Sequence, residues 1–368
     1  MTPIYVNGKF AAQRTTGVQR VASQLLQALD TLLSDDPGVR WTLLCPPGAK
    51  TPALRRIECR KVGWPGLPLH AWEQLILPAA ARDGLLVNLA GSAPWLARRQ
   101  AAVLHDAAVF DCPYAYTAPF VWWYQRLFHR LAARDDTLFT VSAFSRLRLS
   151  ERLRVPPSRI ALLPNGAEHL DTVVADEAVL DRHRLRGRRY LLAVGSANPT
   201  KNLQTLATAF ARLSRHDPQL RLVLVGGRHA KVFASGAAPA PQPGLLHLGQ
   251  QDDASLKALY QHAAALVFPS TYEGFGLPPL EAMACKCPVA AAHAAALPET
   301  CGDAVLYFDP ASVDELEAAL ARVLGDPALQ ASLRRAGATQ AARFRWSRSA
   351  RILRDTLRDT LSSTEATA

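Results

Sequence analysis

The sequence has few cysteines, no zinc-binding pattern and no long apolar run. Its 368 residues include six cysteines, too few and too scattered for the disulfide framework of a small secreted domain. Cys285-Lys-Cys287 has no second cysteine or histidine pair at the spacing of a zinc site, so we interpret both as buried or free thiols. No uncharged apolar run reaches the ~18 residues that would span a bilayer, and no signal peptide is visible. We therefore expect a reduced, cytoplasmic compartment.

Motifs of several enzyme classes are also missing. The sequence contains no P-loop, no Gly-x-Ser-x-Gly nucleophile elbow and no His-Glu-x-x-His zinc motif. An Asp-x-Asp pair, which could hold a divalent metal on a diphosphate, is absent as well. The dinucleotide-binding pattern Gly-x-Gly-x-x-Gly is absent from the first loop, which makes a nicotinamide dehydrogenase the least favoured enzyme class.

The residues that are present indicate a basic, globular protein. Hydrophobic residues make up 49% of the chain and charged residues 20%, which is typical of a folded protein and not of a disordered one. The length allows two domains. Lysine and arginine (42) outnumber aspartate and glutamate (31), for a formal net charge of +11. This excess favours anionic partners, whether nucleic acid, acidic lipid or a phosphorylated substrate, without choosing among them.

Strand-like apolar runs alternate with helical patterns, which predicts an α/β fold with parallel sheets. The runs of the first half lie at Ile4–Phe10, Trp41–Cys45, Leu85–Leu89, Ala102–His105, Leu138–Ser142 and Ile160–Leu163. Those of the second half lie at Tyr190–Gly195, Arg221–Val225, Leu245–Leu248, Ala264–Phe268, Val289–Ala292 and Val305–Phe308.

Two Rossmann-like domains follow from this pattern. We expect an N-terminal domain at 1–168, a charged linker without a strand at 169–189 and a C-terminal domain at 190–345. A basic helix at 346–361 is expected to pack back on the N-terminal domain, and 362–368 to form a frayed tail. Such sheets bind ligands at the carboxyl ends of their strands, so the expected site is a central cleft that both sheets face.

The most informative stretch joins a strand-like run to a helix-like run and carries two carboxylates. Glu273 and Glu281 are eight positions apart, with Gly274 and Gly276 between them. Glycines at such a junction let backbone N–H groups approach an anion closely, and prolines follow, so the donors must be the amides of 274–277. Each carboxylate can accept hydrogen bonds from hydroxyl groups. An anion flanked by hydroxyls describes a nucleotide sugar. The alternative is that Glu273 is a solvated loop residue and that Glu281 is an acidic residue in the first turn of a helix, which the helix dipole favours.

Lys201 is the second candidate. It follows Asn198, which can cap a helix, and Pro199, which fits the first helical position. A lysine in the first turn opposes the helix dipole, and a bound anion would remove that conflict. The alternative is a solvated surface lysine.

Three further candidates belong to the first half. His105 and Asp106 follow a strand-like run, where a cleft residue of an α/β fold would lie; the alternative for His105 is a structural, hydrogen-bonded histidine. Gly17 precedes the first predicted helix and permits close approach of the backbone to a ligand, or else forms an ordinary tight connection.

Arginines and aromatic residues are concentrated between positions 122 and 159. The arginines are Arg126, Arg130, Arg134, Arg146, Arg148, Arg152, Arg154 and Arg159, and the aromatic residues are Trp122, Trp123, Tyr124 and Phe128. This combination suits an anionic membrane surface. The alternative is a set of solvated helix faces in an arginine-rich chain.

These motifs resemble a known family. Glu273–Ala284 resembles the E-x7-E motif of GT4-type retaining glycosyltransferases with the GT-B fold, and Val194–Leu203 resembles their donor-phosphate segment. His105-Asp106, Val141–Ser145 and Leu163–Gly166 match in the same order, so the resemblance covers nearly the whole chain. The Thr-Gly-Val-Gln-Arg segment ending at Arg20 is similar to mannosyl- and rhamnosyltransferases of bacterial surface-polysaccharide assembly.

The resemblance implies a role for each candidate. Glu281 would bind the ribose, Lys201 would neutralise the diphosphate, and Glu273 would hold the donor sugar together with the 274–277 amides. The implied donor site comprises Ser196, Lys201, Glu273, Gly274, Phe275, Gly276, Leu277 and Glu281; the implied catalytic residues are His105, Lys201 and Glu273; and Gly17 and Asp106 would belong to the acceptor or reaction-centre loop. Many members carry a basic residue near position 196 or 200, where this chain has serine and threonine.

The resemblance implies an enzyme that transfers a hexose from a GDP- or UDP-sugar with retention of the anomeric configuration. The hexose would be mannose or a deoxyhexose such as rhamnose. The acceptor would be a lipid-linked or growing saccharide of an O-antigen, capsule or exopolysaccharide. We expect no cofactor, no nucleic-acid partner and, because no Asp-x-Asp pair is present, no metal. The Arg126–Arg159 cluster with Trp122 and Trp123 predicts a cytoplasmic enzyme bound peripherally to the anionic inner membrane face. The alternatives are a nucleotide-sugar epimerase or phosphorylase of the same fold, and a basic nucleic-acid-binding protein, in which the glutamate pair would have no use.

Overall fold

The chain is described by a computed structural model at residues 2–33, 39–134, 136–227, 232–233 and 239–365. It divides into two compact units. The N-terminal unit consists of Met1–Ala107, Trp122–Asn165 and Arg345–Ala368, and the C-terminal unit of Ala108–Val121 and Gly166–Phe344.

The described residues form thirteen strands. The strands are β1 (Ile4–Asn7), β2 (Trp41–Cys45), β3 (Glu58–Lys61), β4 (Leu85–Asn88), β5 (Gln100–Val103), β6 (Thr137–Thr140), β7 (Ile160–Leu162), β8 (Tyr190–Val194), β9 (Arg221–Val225), β10 (Leu245–Gly249), β11 (Ala265–Phe268), β12 (Val289–Ala292) and β13 (Leu306–Phe308).

The helices alternate with these strands. They are α1 (Gly17–Leu32), α2 (Leu69–Ala71), α3 (Leu77–Ala80), α4 (Ala108–Asp111), α5 (Ala118–Ala133), α6 (Ala143–Leu153), α7 (Ala178–Arg182), α8 (Leu203–His216), α9 (Asp253–His262), α10 (Leu277–Ala284), α11 (Leu297–Cys301), α12 (Val313–Gly325), α13 (Pro327–Ala341) and α14 (Trp346–Glu365). A π-helical turn, Trp72–Ile76, joins α2 to α3.

Each unit contains one parallel sheet. The order is β3-β2-β1-β4-β5-β6-β7 in the N-terminal unit and β10-β9-β8-β11-β12-β13 in the C-terminal unit. Central strands such as β1 and β11 are buried along their whole length, as expected for a sheet covered on both faces. The strand order reverses between β1 and β4 and between β8 and β11, and such switch points are where doubly wound sheets bind ligands.

One strand was not predicted. Strand β3 has the sequence Glu-Cys-Arg-Lys and is mostly exposed, because it forms the edge of its sheet. Charged side chains are common on edge strands, where they discourage pairing with another chain. A strand of this kind has no apolar run, so the sequence pattern does not predict it.

The unit boundaries differ from a simple division of the chain. The region 169–189, expected as a linker, belongs to the C-terminal unit and contains α7. Ala108–Val121 belongs to that unit as well: Tyr272 donates a hydrogen bond to Asp111 at 2.9 Å, and Tyr116 forms an isolated bridge with Phe233.

The last helix belongs to the N-terminal unit. Helix α14 packs on α1 and buries Leu353 and Leu357, and Thr360 contacts Thr137 through their hydroxyls at 3.1 Å. The helix runs to Glu365, so the prediction of a frayed tail from position 362 was wrong for the described residues. Residues 366–368 lie outside them.

Two properties of the sequence are visible in the fold. All six cysteines are free, and Cys59 alone among them is not fully buried. Among the described residues, no helix combines the length and apolarity that crossing a bilayer requires.

Candidate active site

The loops after β8 and β11 meet at the switch point of the C-terminal sheet, and each carries one candidate residue. Lys201 Nζ lies 2.5 Å from Glu273 Oε1, and only 19% and 13% of the two side chains are exposed. The ammonium also lies over the ring of Phe268, 5.2 Å from its centroid. The structure therefore brings together the cation and the carboxylate that the sequence analysis assigned to one ligand.

Lys201 does not lie in the first turn of α8, as the sequence pattern had indicated. Asn198 caps a separate 3-10 helix, Pro199–Lys201, by accepting a backbone N–H at 2.9 Å. Asn202 then adopts the left-handed conformation, with φ of 52°, and separates this turn from α8. The prediction that Lys201 lies within α8 was therefore wrong, and the short turn instead places Lys201 beside Glu273.

The loop that contains Ser196 is fixed by close contact between backbones. Gly226, after β9, has φ of 152°, and a Cβ atom there would lie 1.8 Å from the carbonyl oxygen of Gly195. Ala197 donates a backbone hydrogen bond to Gly227 at 3.2 Å. No side chain fits between the two loops, so the path of the Ser196 backbone depends on Gly226.

The glycine-rich loop after β11 is held by the segment around α11. Gly276 has φ of 96°, and a Cβ atom there would lie 2.6 Å from Leu297 Cδ2. Ala296 donates a backbone hydrogen bond to the Glu273 carbonyl at 3.3 Å. Gly276 is thus required by its conformation, and the Ala296 hydrogen bond gives the loop that carries Glu273 a defined position.

The side chains of Phe275 and Leu277 pack inside the C-terminal unit and are not placed for ligand binding. The Phe275 ring is 5% exposed and packs edge-on against Phe344, with centroids 5.5 Å apart. Thr300 donates its hydroxyl to the Phe275 carbonyl at 2.6 Å. Leu277 is buried as the first residue of α10. Both side chains are packing groups, and a ligand would meet the backbone here.

Glu281 is a buried carboxylate with two side-chain donors. It is 3% exposed; its Oε1 lies 3.2 Å from His169 Nε2, and its Oε2 accepts a hydrogen bond from the Tyr260 hydroxyl at 3.0 Å. Burying a charge is costly unless it is hydrogen-bonded, and these donors satisfy that need.

Sequence reasoning missed both donors. His169 lies in the region expected to be a linker, and Tyr260 lies on the inner face of α9 among apolar residues. A tyrosine in an apolar helix pattern and a histidine in a loop are both ordinary, so neither gave a signal. Their role follows only from the contact with Glu281.

His105 lies in the N-terminal unit, two residues beyond the end of β5. Its Nε2 lies 3.0 Å from the Leu89 carbonyl oxygen, and because a carbonyl can only accept, Nε2 carries the proton and Nδ1 a lone pair. Burial lowers the pKa of His105 from 6.5 to about 4, against the opposing effect of the Leu89 hydrogen bond. The ring is therefore neutral at pH 7 and can accept a hydrogen bond from a hydroxyl through Nδ1.

Gly17 and Asp106 also belong to the N-terminal unit. Gly17 is the first residue of α1, and a Cβ atom there would meet nothing within 4 Å. The fold therefore does not require glycine at this position. Asp106 follows His105 and is partly exposed. These candidates belong to a different unit from Lys201 and Glu273.

Three of the arginines between 126 and 159 are engaged with other groups of the N-terminal unit. Arg130 donates to the Trp95 carbonyl at 2.8 Å, Arg134 donates to a neighbouring carbonyl, and Arg148 pairs with Glu151. These three side chains support the fold of the N-terminal unit.

Exposed aromatic and apolar side chains nevertheless lie on α5 and in the segment that contacts it. Trp122 is 55% exposed and has the Arg126 guanidinium 4.7 Å from its ring centroid; Trp123 lies 5.8 Å from Trp95, and Leu96 is 68% exposed. We call these five residues the α5 patch. Two of them were named by the sequence analysis as membrane candidates together with Arg126, and Trp95 and Leu96 reach the patch only through folding.

Two other expectations concern groups that the sequence could not locate. Within the described ranges, no group of three or more His, Cys, Asp or Glu side chains is placed to hold a metal ion. The loops at 227–230 and 249–253 could not be assigned a role from the sequence; residues 228–230 lie outside the described part of the chain, and the second loop caps α9 through Asp252.

Comparison with known proteins identifies the family. Residues 178–340 match the family model of the glycosyl transferases group 1. The chain is 31% identical over 261 residues to the O-antigen chain mannosyltransferase B of Escherichia coli, a match that covers 69% of this chain and 68% of that protein. Serotype-specific mannosyltransferases WbdA of Escherichia coli are longer, and the chain spans 28–30% of their length.

Solved structures of similar fold cover the whole chain. Sucrose-phosphate synthase from Thermosynechococcus elongatus superposes with a TM-score of 0.72 at 20% identity, over 99% of this chain and 100% of that one. Anabaena HepE, solved in complex with UDP-glucose, superposes with a TM-score of 0.69 at 17% identity, over 97% and 99%. At these identities the likeness shows the fold alone.

The chain belongs to the group 1 glycosyl transferases. The predictions of a glycosyltransferase and of a GT-B fold built from two Rossmann-like parallel sheets are confirmed. The alternatives of an epimerase, a phosphorylase or a nucleic-acid-binding protein are not favoured by these relatives.

Proposed function

We propose that the chain transfers mannose from a nucleotide sugar to a growing or lipid-linked saccharide, with retention of configuration at the anomeric carbon. The similarity to an O-antigen chain mannosyltransferase supports mannose as the sugar and a surface polysaccharide as the product. The UDP-glucose complex of HepE supports a nucleotide sugar as the donor class. GDP- and UDP-mannose are therefore the first donors to test.

The observation that carries this proposal is the ion pair of Lys201 and Glu273 at the switch point of the C-terminal sheet. A diphosphate would compete with Glu273 for the Lys201 ammonium, because both are anions and the lysine is a single point charge. Once the ammonium is engaged by the diphosphate, Glu273 can accept hydrogen bonds from sugar hydroxyls. The pair thus provides one group for each half of the donor.

The reaction needs little covalent chemistry from the protein. The bond between the anomeric carbon and the diphosphate oxygen breaks, a bond to the acceptor oxygen forms, and the acceptor proton passes to the departing diphosphate. Negative charge develops on the diphosphate, where Lys201 and the 274–277 amides would stabilise it. Neutral His105 would accept a hydrogen bond from a hydroxyl of the sugar. We propose that no divalent metal is required.

Membrane binding belongs to the same proposal. A lipid-linked acceptor is presented at the membrane surface, and the α5 patch combines exposed tryptophan and leucine with Arg126. Aromatic and basic side chains together suit the interface of an anionic membrane. The enzyme would then act as a peripheral protein at the inner membrane face.

The test is a transfer assay with purified protein, GDP-mannose or UDP-mannose and lipid-linked saccharide acceptors, in EDTA and with added magnesium. We expect transfer in EDTA and an early product that NMR shows to retain the anomeric configuration. Activity that depends wholly on a divalent metal would overturn the metal proposal. An inverted product would overturn the proposal of retention, and donor turnover without any acceptor would favour a different reaction.

A further inference from the structure

The buried contacts of Glu281 assign a function to two residues outside the glycine-rich loop. We propose that Tyr260 and His169 are positioning residues that fix the Glu281 carboxylate for hydrogen bonding to the vicinal hydroxyls of the donor's ribose. This inference rests on the proposed function, in which Glu281 binds that ribose. It adds that nucleotide affinity depends on a side chain of α9 and on one of the short 3-10 helix Glu168–Leu170.

The geometry constrains the carboxylate from two sides. Tyr260 donates to Oε2 at 3.0 Å, and His169 Nε2 lies 3.2 Å from Oε1, so each oxygen has its own partner. A carboxylate is an acceptor only, so His169 must carry its proton on Nε2 in this contact. The rotation of the carboxylate about its last side-chain bond is thereby fixed.

The two partners come from separate elements that pack on or near α10. The 3-10 helix Glu168–Leu170 packs directly on α10, and Tyr260 is fully buried on α9. The side chains of His169 and Glu281 are only 2% and 4% exposed. A charged hydrogen bond inside a protein is stronger than one in water, so an orientation set here is maintained when a ligand binds.

Fixed orientation matters because of how a ribose is bound. Its two vicinal hydroxyls present donors at a set spacing, and a carboxylate receives both only at one rotation. If the protein fixes that rotation in advance, the ligand does not lose the entropy of ordering it. Loss of Tyr260 or His169 donors should therefore weaken binding without changing the chemical step.

The chain offers a matched control for Tyr260. Tyr190 is also fully buried, and its hydroxyl donates to the Leu259 carbonyl at 2.7 Å, next to Tyr260 in sequence but without a contact to Glu281. Tyr190→Phe and Tyr260→Phe each remove one buried, hydrogen-bonded hydroxyl. A purely structural role predicts similar effects of both on stability and on binding.

The experiment measures binding of UDP and GDP, and of their 2′,3′-dideoxy analogues, to the full chain by calorimetry. The diphosphate that the wild type binds is then titrated into each variant. For Tyr260→Phe we expect about three- to tenfold weaker binding of the ribose form, little change for the dideoxy form, a matching rise in donor KM, and kcat within about twofold. Tyr190→Phe should bind both forms as the wild type does.

His169 is tested by a conservative and a non-conservative variant. The terminal amide of glutamine can replace the Nε2 donor of the imidazole, whereas leucine cannot. His169→Gln should therefore retain the preference for ribose over dideoxyribose, and His169→Leu should lose it. Equal loss in both, or equal loss for ribose and dideoxy forms, would mean that the residue only maintains the fold and would overturn the proposal.

Glu281→Gln separates this inference from the function on which it rests. If Glu281→Gln loses the ribose preference while Tyr260→Phe keeps it, Glu281 binds ribose without needing its partners, and the positioning role is overturned. If Glu281→Gln also keeps the preference, the ribose role of Glu281 fails and the inference fails with it. The transfer assay reads glycosyltransferase activity independently of either result.

Discussion

At the scale of single residues, the two glutamates of the E-x7-E segment have different surroundings. Glu273 is paired with a lysine at the switch point, whereas Glu281 is buried and held by a tyrosine and a histidine. The Glu273 carboxylate, next to the diphosphate-binding cation, repels the diphosphate, whereas the Glu281 carboxylate would hold the nucleotide through hydrogen bonds from the ribose hydroxyls. Removal of the Glu281 carboxylate should therefore weaken nucleotide binding, and removal of the Glu273 carboxylate should not.

We expect Glu281→Ala to weaken binding of the free nucleotide diphosphate and to raise donor KM, because a ribose contact is made equally in ground and transition states. A charged hydrogen bond contributes roughly 1.5–3 kcal/mol, about ten- to a hundredfold. Glu273→Ala should mainly lower kcat, because sugar contacts can strengthen as the bond breaks, and should leave nucleotide affinity equal or higher because Lys201 is released. Calorimetry and donor kinetics on both variants test this; comparable loss of nucleotide affinity in the two would contradict the division of roles.

His105 gives a second prediction, in pH dependence. Its pKa falls from 6.5 to about 4 on folding because burial disfavours the charged ring, so the unfolded chain binds the extra proton first as pH drops. The free energy of unfolding should therefore decrease as pH falls from about 6.5 to 4, by roughly 1–2 kcal/mol once partial exposure of the ring is considered. His105→Gln keeps a donor for the Leu89 carbonyl and cannot titrate, so denaturation curves should show this loss in the wild type and not in the variant.

Another buried group titrates over the same range with the opposite sign. Burial raises the pKa of Asp136 from 3.8 to about 6, against the lowering effects of Arg134 and Gln100, so folding favours its protonated form and this group costs stability as pH rises through that interval. The comparison of wild type with His105→Gln is therefore made on the Asp136→Asn background. An identical pH dependence with and without His105 would contradict the assignment.

At the scale of elements, the glycines that follow strands or begin helices serve two different needs. Gly226 lies where a side chain would meet the Gly195 carbonyl, with φ of 152°, so its need is structural. Gly17 has open space around it, so any need for glycine there comes from a ligand. The sequence pattern predicted close backbone approach at Gly17 and does not by itself separate a structural glycine such as Gly226 from one that faces a ligand.

The corresponding substitutions should separate stability from activity. Gly226→Ala should lower the free energy of unfolding by more than about 2 kcal/mol, because a backbone atom has to move. Gly17→Ala should keep or raise stability, by up to about 1 kcal/mol, yet lower kcat/KM by about tenfold if a substrate approaches the backbone. Thermal unfolding and donor kinetics on both variants measure this. Full activity of Gly17→Ala would remove Gly17 from the reaction-centre residues.

The elements themselves were largely predictable, and the exceptions have physical reasons. Buried parallel strands such as β2, β9 and β12 appear as apolar runs and were predicted with their observed bounds. Strand β3 is charged because it is an edge. Lys201 was placed in α8 because Asn198 and Pro199 are the right residues to begin a helix. The break at Asn202 was not predicted, although asparagine tolerates the left-handed conformation that ends the short 3-10 helix there.

The parts of the candidate site that lie within one loop were predictable, and the contacts between residues distant in sequence were not. The E-x7-E segment and Lys201 lie in loops whose composition reveals them. The partners of Glu281 are 112 and 21 positions away in sequence, and a single sequence contains no information on which buried donor will meet which acceptor. The same holds for Trp95, which reaches the α5 patch by folding.

At the scale of the whole molecule, the net charge of +11 and the α5 patch make separate contributions to membrane binding. General charge attracts the protein to any anionic surface and is screened within a ~8–10 Å Debye length. Insertion of Trp122 and Leu96 would add an apolar part that salt does not weaken. Many arginines of the 126–159 segment are engaged with carbonyls or carboxylates, so the patch rather than the whole segment should decide where the protein binds.

We therefore expect sedimentation with anionic vesicles that decreases as salt is raised, and weak binding to neutral vesicles. Trp122→Ala with Arg126→Ala should reduce binding about tenfold or more, since an interfacial tryptophan and a nearby cation, at about 1 kcal/mol for the cation, are both lost. Arg152→Ala, an exposed arginine of α6 outside the patch, is the matched control for charge and should reduce binding only by its share of the electrostatic attraction. Equal losses in both variants would show that net charge alone brings the protein to the membrane, and equal binding to neutral and anionic vesicles would exclude the electrostatic contribution.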